Sequence, residues 1–213
     1  FAFDKIEVLM GINYSFKSGN FYLISGPSGI GKSTLLKELA GLYSPTSGRV
    51  VLKRNGSSDD KETILNHPIP NLISYLDQEP LLFNLSIREN ILFSNNNQIR
   101  DQEILKVLGE LGLTDFINSK PGGLDFILNN NGRSLSRGQR QKLLFARAIL
   151  SATQIILLDE PFNGMDKTSI EVAIKLLNSY RSDRICIIAS HQKLSGLENL
   201  KDLKISQGIL LEN

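Results

Sequence analysis

The chain has 213 residues, 41% of them hydrophobic, enough for one large domain or one domain with an inserted lobe. Its 24 basic and 22 acidic side chains leave a formal charge of +2, mixed along the chain, which excludes the basic footprint of a nucleic-acid binder or an acidic-membrane binder. Cys186 is the single cysteine, so an intramolecular disulfide is excluded, and no stretch reaches the roughly 18 apolar residues of a membrane-spanning helix.

The chain starts at Phe1 without a charged-then-apolar leader, and is expected to be part of something longer. Taken in order, the first fifteen or so residues and 49–53 read as strands of an antiparallel edge sheet. Phe21-Tyr22-Leu23-Ile24-Ser25 is an apolar β-type run that ends at a glycine-rich turn. After the turn, Leu35, Leu36, Leu39 and Ala40 recur at helical spacing. Residues 84–138 differ: β-type runs are scarce, and Ile104, Leu105, Val107, Leu108 and Leu111 are helically spaced, which predicts an inserted helical lobe. Asn95-Asn96-Asn97 and Asn129-Asn130-Asn131 read as short polar loops. Apolar runs at 155–158 and 185–189 read as buried strands of a parallel sheet, and a helical pattern sits before each, at 139–150 and 169–180. Cys186 lies inside the last run as a small buried hydrophobe. The alternation predicts an α/β core with helices on both faces.

Two motifs carry chemistry. Gly26-Pro27-Ser28-Gly29-Ile30-Gly31-Lys32-Ser33-Thr34 fits the phosphate-loop pattern G-x-x-x-x-G-K-[ST] completely, with strand before and helix after. The glycines let the backbone bend around a β-phosphate with several N–H groups inward, and the following helix adds its positive end. Lys32 brings a mobile charge to the β- and γ-phosphates, and the Ser33 hydroxyl is placed to ligate Mg²⁺. Ile155-Ile156-Leu157-Leu158-Asp159-Glu160 is an apolar strand ending in two carboxylates. Asp159 falls near the metal at the strand's C-terminal end, and Glu160 can orient and deprotonate an attacking water. These elements alone specify a P-loop nucleoside triphosphatase. His67 fits neither motif and reads as an exposed loop residue; two histidines and one cysteine offer no zinc-site spacing.

Leu135-Ser136-Arg137-Gly138-Gln139, running into Arg140-Gln141-Lys142 and a helix with Ala146, Arg147 and Ala148, resembles the LSGGQ signature of ABC ATPases. Ser136 also reads as the cap of that helix, and both roles can hold, because a capped helix start is an anion site. Further elements follow the family's order. Gln78, in Tyr75-Leu76-Asp77-Gln78-Glu79-Pro80, resembles the Q-loop glutamine that touches metal and water. Asp166 resembles the D-loop aspartate, and His191 the switch histidine that contacts the γ-phosphate. Phe3, five residues before Val8-Leu9, stands where the family stacks an aromatic ring on adenine.

The resemblance implies a single ABC ATPase domain, 1–213, with a RecA-like P-loop core (about 1–83 and 139–213), an antiparallel edge sheet and a helical subdomain (about 84–138). It implies ATP and Mg²⁺ as cofactors, with catalysis by Glu160, His191 and Gln78 and metal binding by Ser33, Gln78 and Asp159. The nucleotide would be held by Phe3, the loop from Gly26 to Thr34, Asp166, and Ser136, Gly138 and Gln139 of a second domain paired head to tail. Gln78 to Ile91 resembles the exporter type, which implies a transmembrane partner domain, no nucleic acid, and a place on the cytoplasmic face of a membrane. Two departures stand out. Arg137 occupies a position where the family has glycine, and Phe126 to Gly132 keeps only the last glycine of the exporters' T-x-V-G-E-x-G segment. The alternatives are a non-transport ABC ATPase, which the compact 84–138 lobe and the balanced charge disfavour, and a low-turnover nucleotide-binding regulator, which intact Glu160 and His191 disfavour.

Overall fold

The computed structural model describes residues 2–3, 6–53, 62–93, 99–180 and 183–212. The Asn95-Asn96-Asn97 loop lies outside them, and for Phe3 only the backbone is described. A six-stranded sheet forms the centre: β3 (Phe21–Ser25), β6 (Ile73–Leu76), β7 (Ile155–Asp159), β8 (Ile185–Ala189), β9 (Leu200–Ser206) and β10 (Ile209–Glu212). Their order across the sheet is β10-β9-β3-β8-β7-β6, parallel throughout except for the β9–β10 hairpin. The antiparallel edge comprises two separate two-stranded ladders, β1 (Ala2–Phe3) with β2 (Ile6–Glu7) and β4 (Val51–Lys53) with β5 (Glu62–Ile64). No strand is assigned between Val8 and Asn20; there Met10 N–H donates to the Gly208 carbonyl at 2.8 Å, which ties this segment to the β9–β10 turn.

The central strands are apolar without interruption because both sheet faces are covered. Side chains alternate across a strand. Phe21 and Leu23, Ile156 and Leu158, and Cys186 and Ile188 therefore point into one apolar cluster, while Tyr22, Ile24, Leu157 and Ile187 point into the other. Helix α1 (Lys32–Leu39) lies over the second face through Leu35 and Leu36. Helices α5 (Arg137–Leu150) and α6 (Lys167–Ser179) cover the first. Cys186 is fully buried there, and burial pushes its thiol up to about 12, so it packs as an inert hydrophobe.

Between β6 and α5 run α2 (Ile87–Leu92), α3 (Asp101–Glu110), α4 (Thr114–Asn118) and two 3-10 turns, Gly123–Asp125 and Asn129–Gly132. The second turn contains Asn130 and Asn131 at φ 51° and 55°, a left-handed conformation that asparagine tolerates better than most residues. Ile87, Ile91, Ile104 and Leu108 share one apolar cluster with Leu158 of the sheet, and α5, whose Leu143–Leu150 stretch is mostly buried, is the layer between them.

Asn90 and Arg147 fasten this layer. The Asn90 side chain accepts from Phe83 N–H (2.9 Å) and donates to the Phe83, Leu85 and Ser86 carbonyls. Arg147 donates to the Asn90 carbonyl (2.7 Å), the Asn90 side-chain oxygen (3.0 Å) and the Leu81 carbonyl (2.9 Å). Burial lowers the guanidinium to about 10, which still leaves it charged. Asn90→Ala strands several of these groups and is expected to cost about 2–3 kcal/mol, read as a thermal midpoint lower by roughly 4–12 °C. A change below about 1 °C would show that the network does not hold the two layers together.

Candidate functional site

Parallel pairing brings the carboxyl ends of β3, β6, β7 and β8 to one end of the sheet, where ligands of open α/β sheets bind. Each strand delivers a part there. β3 leads into the loop from Gly26 to Gly31, β6 into Gln78, β7 into Asp159 and Glu160, and β8 into Ser190 and His191. A cleft of about 140 Å³ opens between them, lined by Ser28, Gly29, Gly31, Lys32, Ser33, Thr34, Gln78, Asp159 and Glu160.

The loop is built around its carbonyls. Lys32 is 7% exposed, and its ammonium donates to the Gly26 (2.8 Å) and Pro27 (3.1 Å) carbonyls, which hold the charge over the loop. Gly31 caps α1 at φ 110°, which strains any residue with a side chain, and a Cβ there would press within 2.8 Å of a Leu9 methyl and 3.0 Å of a Val8 methyl. No side chain caps α1 and its first turn holds no acid. Its amides are left to an anion in the cleft.

Asp159 is 1% exposed, and among the described residues neither of its carboxylate oxygens has a hydrogen-bond partner. Burial raises its pKa; the Ser33 hydroxyl nearby pulls the other way without reaching hydrogen-bond geometry, and Asp77 and Glu160 add to the rise. A buried, unpartnered carboxylate is costly unless a cation meets it. Asp159, Ser33 and Gln78 line the same cleft and offer oxygen donors, a set that fits Mg²⁺, a metal that prefers one or two protein oxygens together with phosphate and water. No cluster of three or more His, Cys, Asp or Glu suited to a metal occurs among the described residues.

Glu160 sits at φ 48°, a strained value for a residue with a side chain, and its N–H donates to the Ala189 carbonyl at 2.9 Å. One carboxylate oxygen lies 3.0 Å from His191 Nδ1 and accepts from the Ser190 hydroxyl at 3.4 Å. Glu160, with 11% of its side chain exposed, and His191, with 59%, thus form a pair at the rim of the cleft.

Other sequence-predicted residues lie elsewhere. Ser136 caps α5 in a reciprocal box: its hydroxyl accepts from Gln139 N–H (3.1 Å), and the Gln139 side chain accepts from Ser136 N–H (3.0 Å). Asp166 caps α6 through Ser169 N–H (2.9 Å) and the Ser169 hydroxyl (2.7 Å), and these bonds hold its carboxyl below the usual range. Ser136, Gly138, Gln139 and Asp166 are not among the residues that line the cleft. Gly26, Pro27 and Ile30 shape the loop from behind, and the ring of Phe3 lies outside the described residues.

Sequence reasoning passed over two residues. Asp77 accepts from Gln78 N–H at 2.7 Å and pairs with Lys37 of α1 at 3.6 Å, linking the Gln78 loop to the phosphate-loop helix. Ser190, 1% exposed, joins Glu160 to the His191 turn and accepts from Gln192 N–H at 3.1 Å. The only signal for either was its place beside a residue already singled out.

The profile of the family described as ABC transporter matches residues 9–163. ABC transporter B family member 28 of Arabidopsis thaliana is 32% identical over 97% of this chain and 29% of its own length. The lactococcin-G-processing and transport ATP-binding protein LagD of Lactococcus lactis subsp. lactis is also 32% identical, over 97% of the chain and 29% of its own length. The chain thus spans about three-tenths of these relatives. Among solved structures, a bacterial Atm1-family ABC exporter with ATP bound superposes at TM-score 0.79 and 26% identity, over 100% of this chain and 37% of that one.

Proposed function

Because the chain belongs to the ABC transporter family, we propose that it is the unit that binds and hydrolyses ATP with Mg²⁺, working as a head-to-tail pair that drives export through a membrane domain. The observation that carries the hydrolysis reading is the buried, unpartnered Asp159 carboxylate sharing a cleft with Ser33, Lys32 and Glu160.

In this reading Lys32 shifts from its loop carbonyls onto the β- and γ-phosphates, and the uncapped start of α1 supplies N–H donors. Asp159, Ser33 and Gln78 would hold Mg²⁺, which supplies charge neutralisation across the phosphates. Glu160 accepts a proton from water; the water oxygen bonds to the γ-phosphorus as the bond to the ADP oxygen breaks. His191, already 3.0 Å from Glu160, orients that carboxylate and reaches the γ-phosphate. The boundaries of a core at about 1–83 and 139–213 and a helical subdomain at about 84–138 belong to the same proposal, and so does stacking of Phe3 on adenine.

Two features support a pair. The cleft of about 140 Å³ is well below the ~300–1,000 Å³ of ordinary small-molecule sites, so a nucleotide held there leaves much of its surface uncovered. Ser136, Gly138 and Gln139 sit at a helix start away from that cleft and are thus available to a second copy's nucleotide. A membrane partner is supported by an apolar patch near the Gln78 loop, where Leu81 (58% exposed) and Phe93 (55%) stand beside Arg147. A cytoplasmic-face location follows from that partner. Among the described residues, no helix is long and apolar enough to cross a membrane.

Lys32→Ala tests nucleotide binding most simply. Loss of a charge-assisted contact to phosphate is expected to weaken ATP by about tenfold or more in a titration with Mg²⁺. Unchanged affinity would contradict the placement of the phosphates in this cleft.

A further inference from the structure

Arg137 is the unusual residue of the signature-like segment, and the structure gives it a partner within its own chain. Its side chain lies flat on Gly164: a Cβ built at Gly164 would fall 2.8 Å from Arg137 Cγ and 3.0 Å from both Cδ and Nε. Gly164 is at φ 85°, and its carbonyl approaches Gly138 so closely that a Cβ there would lie 3.2 Å away. The first turns of α5 grip the same loop twice more. The Gln141 side chain donates to the Pro161 carbonyl at 2.8 Å, and Lys142 lies 3.9 Å from the Asp166 carboxylate. That loop begins at Glu160, whose strained φ of 48° persists only if its surroundings hold it, and Asn163 N–H closes it by donating to the Glu160 carbonyl at 3.2 Å.

We propose that Arg137 is a positioning residue for hydrolysis: its aliphatic arm, seated on Gly164, fixes the loop after Glu160 to α5 and so holds the Glu160 carboxylate where water is deprotonated. The inference rests on the hydrolysis reading above. Packing, not an ion pair, does this: nearest to a Cβ at Gly164 are Cγ and Cδ of the arm and Nε at the edge of the guanidinium, and no acid pairs with Arg137 among the described ion pairs.

The test measures kcat and KM for ATP with Mg²⁺, together with thermal midpoints, for the unaltered chain, Arg137→Gly, Arg137→Met, Gly164→Ala and the Arg137→Gly/Gly164→Ala double variant. Arg137→Gly is expected to lower kcat by about three- to tenfold with KM changed less than about twofold, since positioning acts on the chemical step. Arg137→Met keeps the arm without the charge and is expected to stay within about twofold of the unaltered kcat. At φ 85° alanine is strained in either background, and with Arg137 present its methyl also displaces the arm, so the fall in kcat is expected to be about threefold or more larger with Arg137 than in the Arg137→Gly background. The thermal midpoints are expected to be non-additive in the same sense.

Equal losses from Gly164→Ala in both backgrounds would overturn the proposal, as would Arg137→Met behaving like Arg137→Gly. A rise in kcat above tenfold for Arg137→Gly would overturn it too, because the native arginine would then be an obstruction. If the unaltered chain hydrolyses no ATP, the functional reading fails and the positioning role fails with it, while the midpoints alone still report whether the Arg137–Gly164 contact exists.

Discussion

Glu160→Gln is expected to lower ATP hydrolysis by about 10²–10⁴-fold while leaving ATP affinity within a few-fold of the unaltered chain. The carboxylate stands at the cleft rim with 11% exposure, held by His191 and Ser190, and in the proposed site Lys32, Ser33 and the start of α1, not Glu160, would carry the phosphate contacts. Glutamine is nearly isosteric and can keep one bond to the His191–Ser190 turn, so the loss falls on proton transfer. Steady-state hydrolysis and an equilibrium ATP titration on the same preparation separate the two effects. Loss of both together would place Glu160 in binding. Retention of hydrolysis would assign the base elsewhere.

The second large effect concerns Asp159. Without a cation, an unpartnered carboxylate at 1% exposure destabilises the fold. In chelator, Asp159→Asn is expected to raise stability at neutral pH by about 1–3 kcal/mol, and the midpoint by roughly 2–12 °C. The sign of the pH dependence follows from burial, which raises the folded-state pKa above the unfolded value. The folded chain then keeps a proton that the unfolded chain has lost, so stability declines as pH rises from the ordinary carboxylate range through the raised value. Asp159→Asn is expected to remove that decline. With ATP and Mg²⁺ the order reverses: the unaltered chain gains about 2.7 kcal/mol at ligand concentrations a hundredfold above its dissociation constant, and the variant gains far less. A variant no more stable than the unaltered chain in chelator would show that Asp159 is satisfied without a metal.

The parts of the site carried by contiguous residues were legible in the sequence. The loop from Gly26 to Thr34 has its chemistry in its spacing, and Asp159-Glu160 end an apolar run too regular to be a turn. Central strands were equally plain, since burial on both faces leaves no polar positions to break them. β9 was harder to see. Its buried Leu203 and Ile205 alternate with the exposed Asp202 and Lys204, and charge on the open face masks a short period-two pattern. β6 has only four residues, two of them half-buried. The first fifteen or so residues read as strand in the sequence, but the described strands there are only Ala2–Phe3 and Ile6–Glu7, because Val8, Leu9 and Met10 pack on the phosphate loop and the β9–β10 turn through irregular backbone. Least legible were contacts between distant segments. Lys37 with Asp77, Ser190 with Glu160, and Arg137 with Gly164 exist only once the sheet and α5 have set their spacing. Arg137 reads as an intrusion in the one-dimensional motif; in space its arm fills the face that Gly164 leaves bare.

In the proposed pair, two copies complete each ATP site, with Lys32 and Glu160 from one and Ser136 and Gly138 from the other. This sharing is tested most directly by Mg²⁺-dependent hydrolysis per chain as a function of protein concentration, with Glu160→Gln as control and a sizing run in ATP. For a shared site the rate per chain is expected to rise with concentration as pairs form, to be abolished in the control, and to accompany an ATP-dependent shift to the size of a pair. A constant rate per chain from a species that stays monomeric in ATP, still lost in the control, would contradict it, because one chain would then be hydrolysing ATP alone.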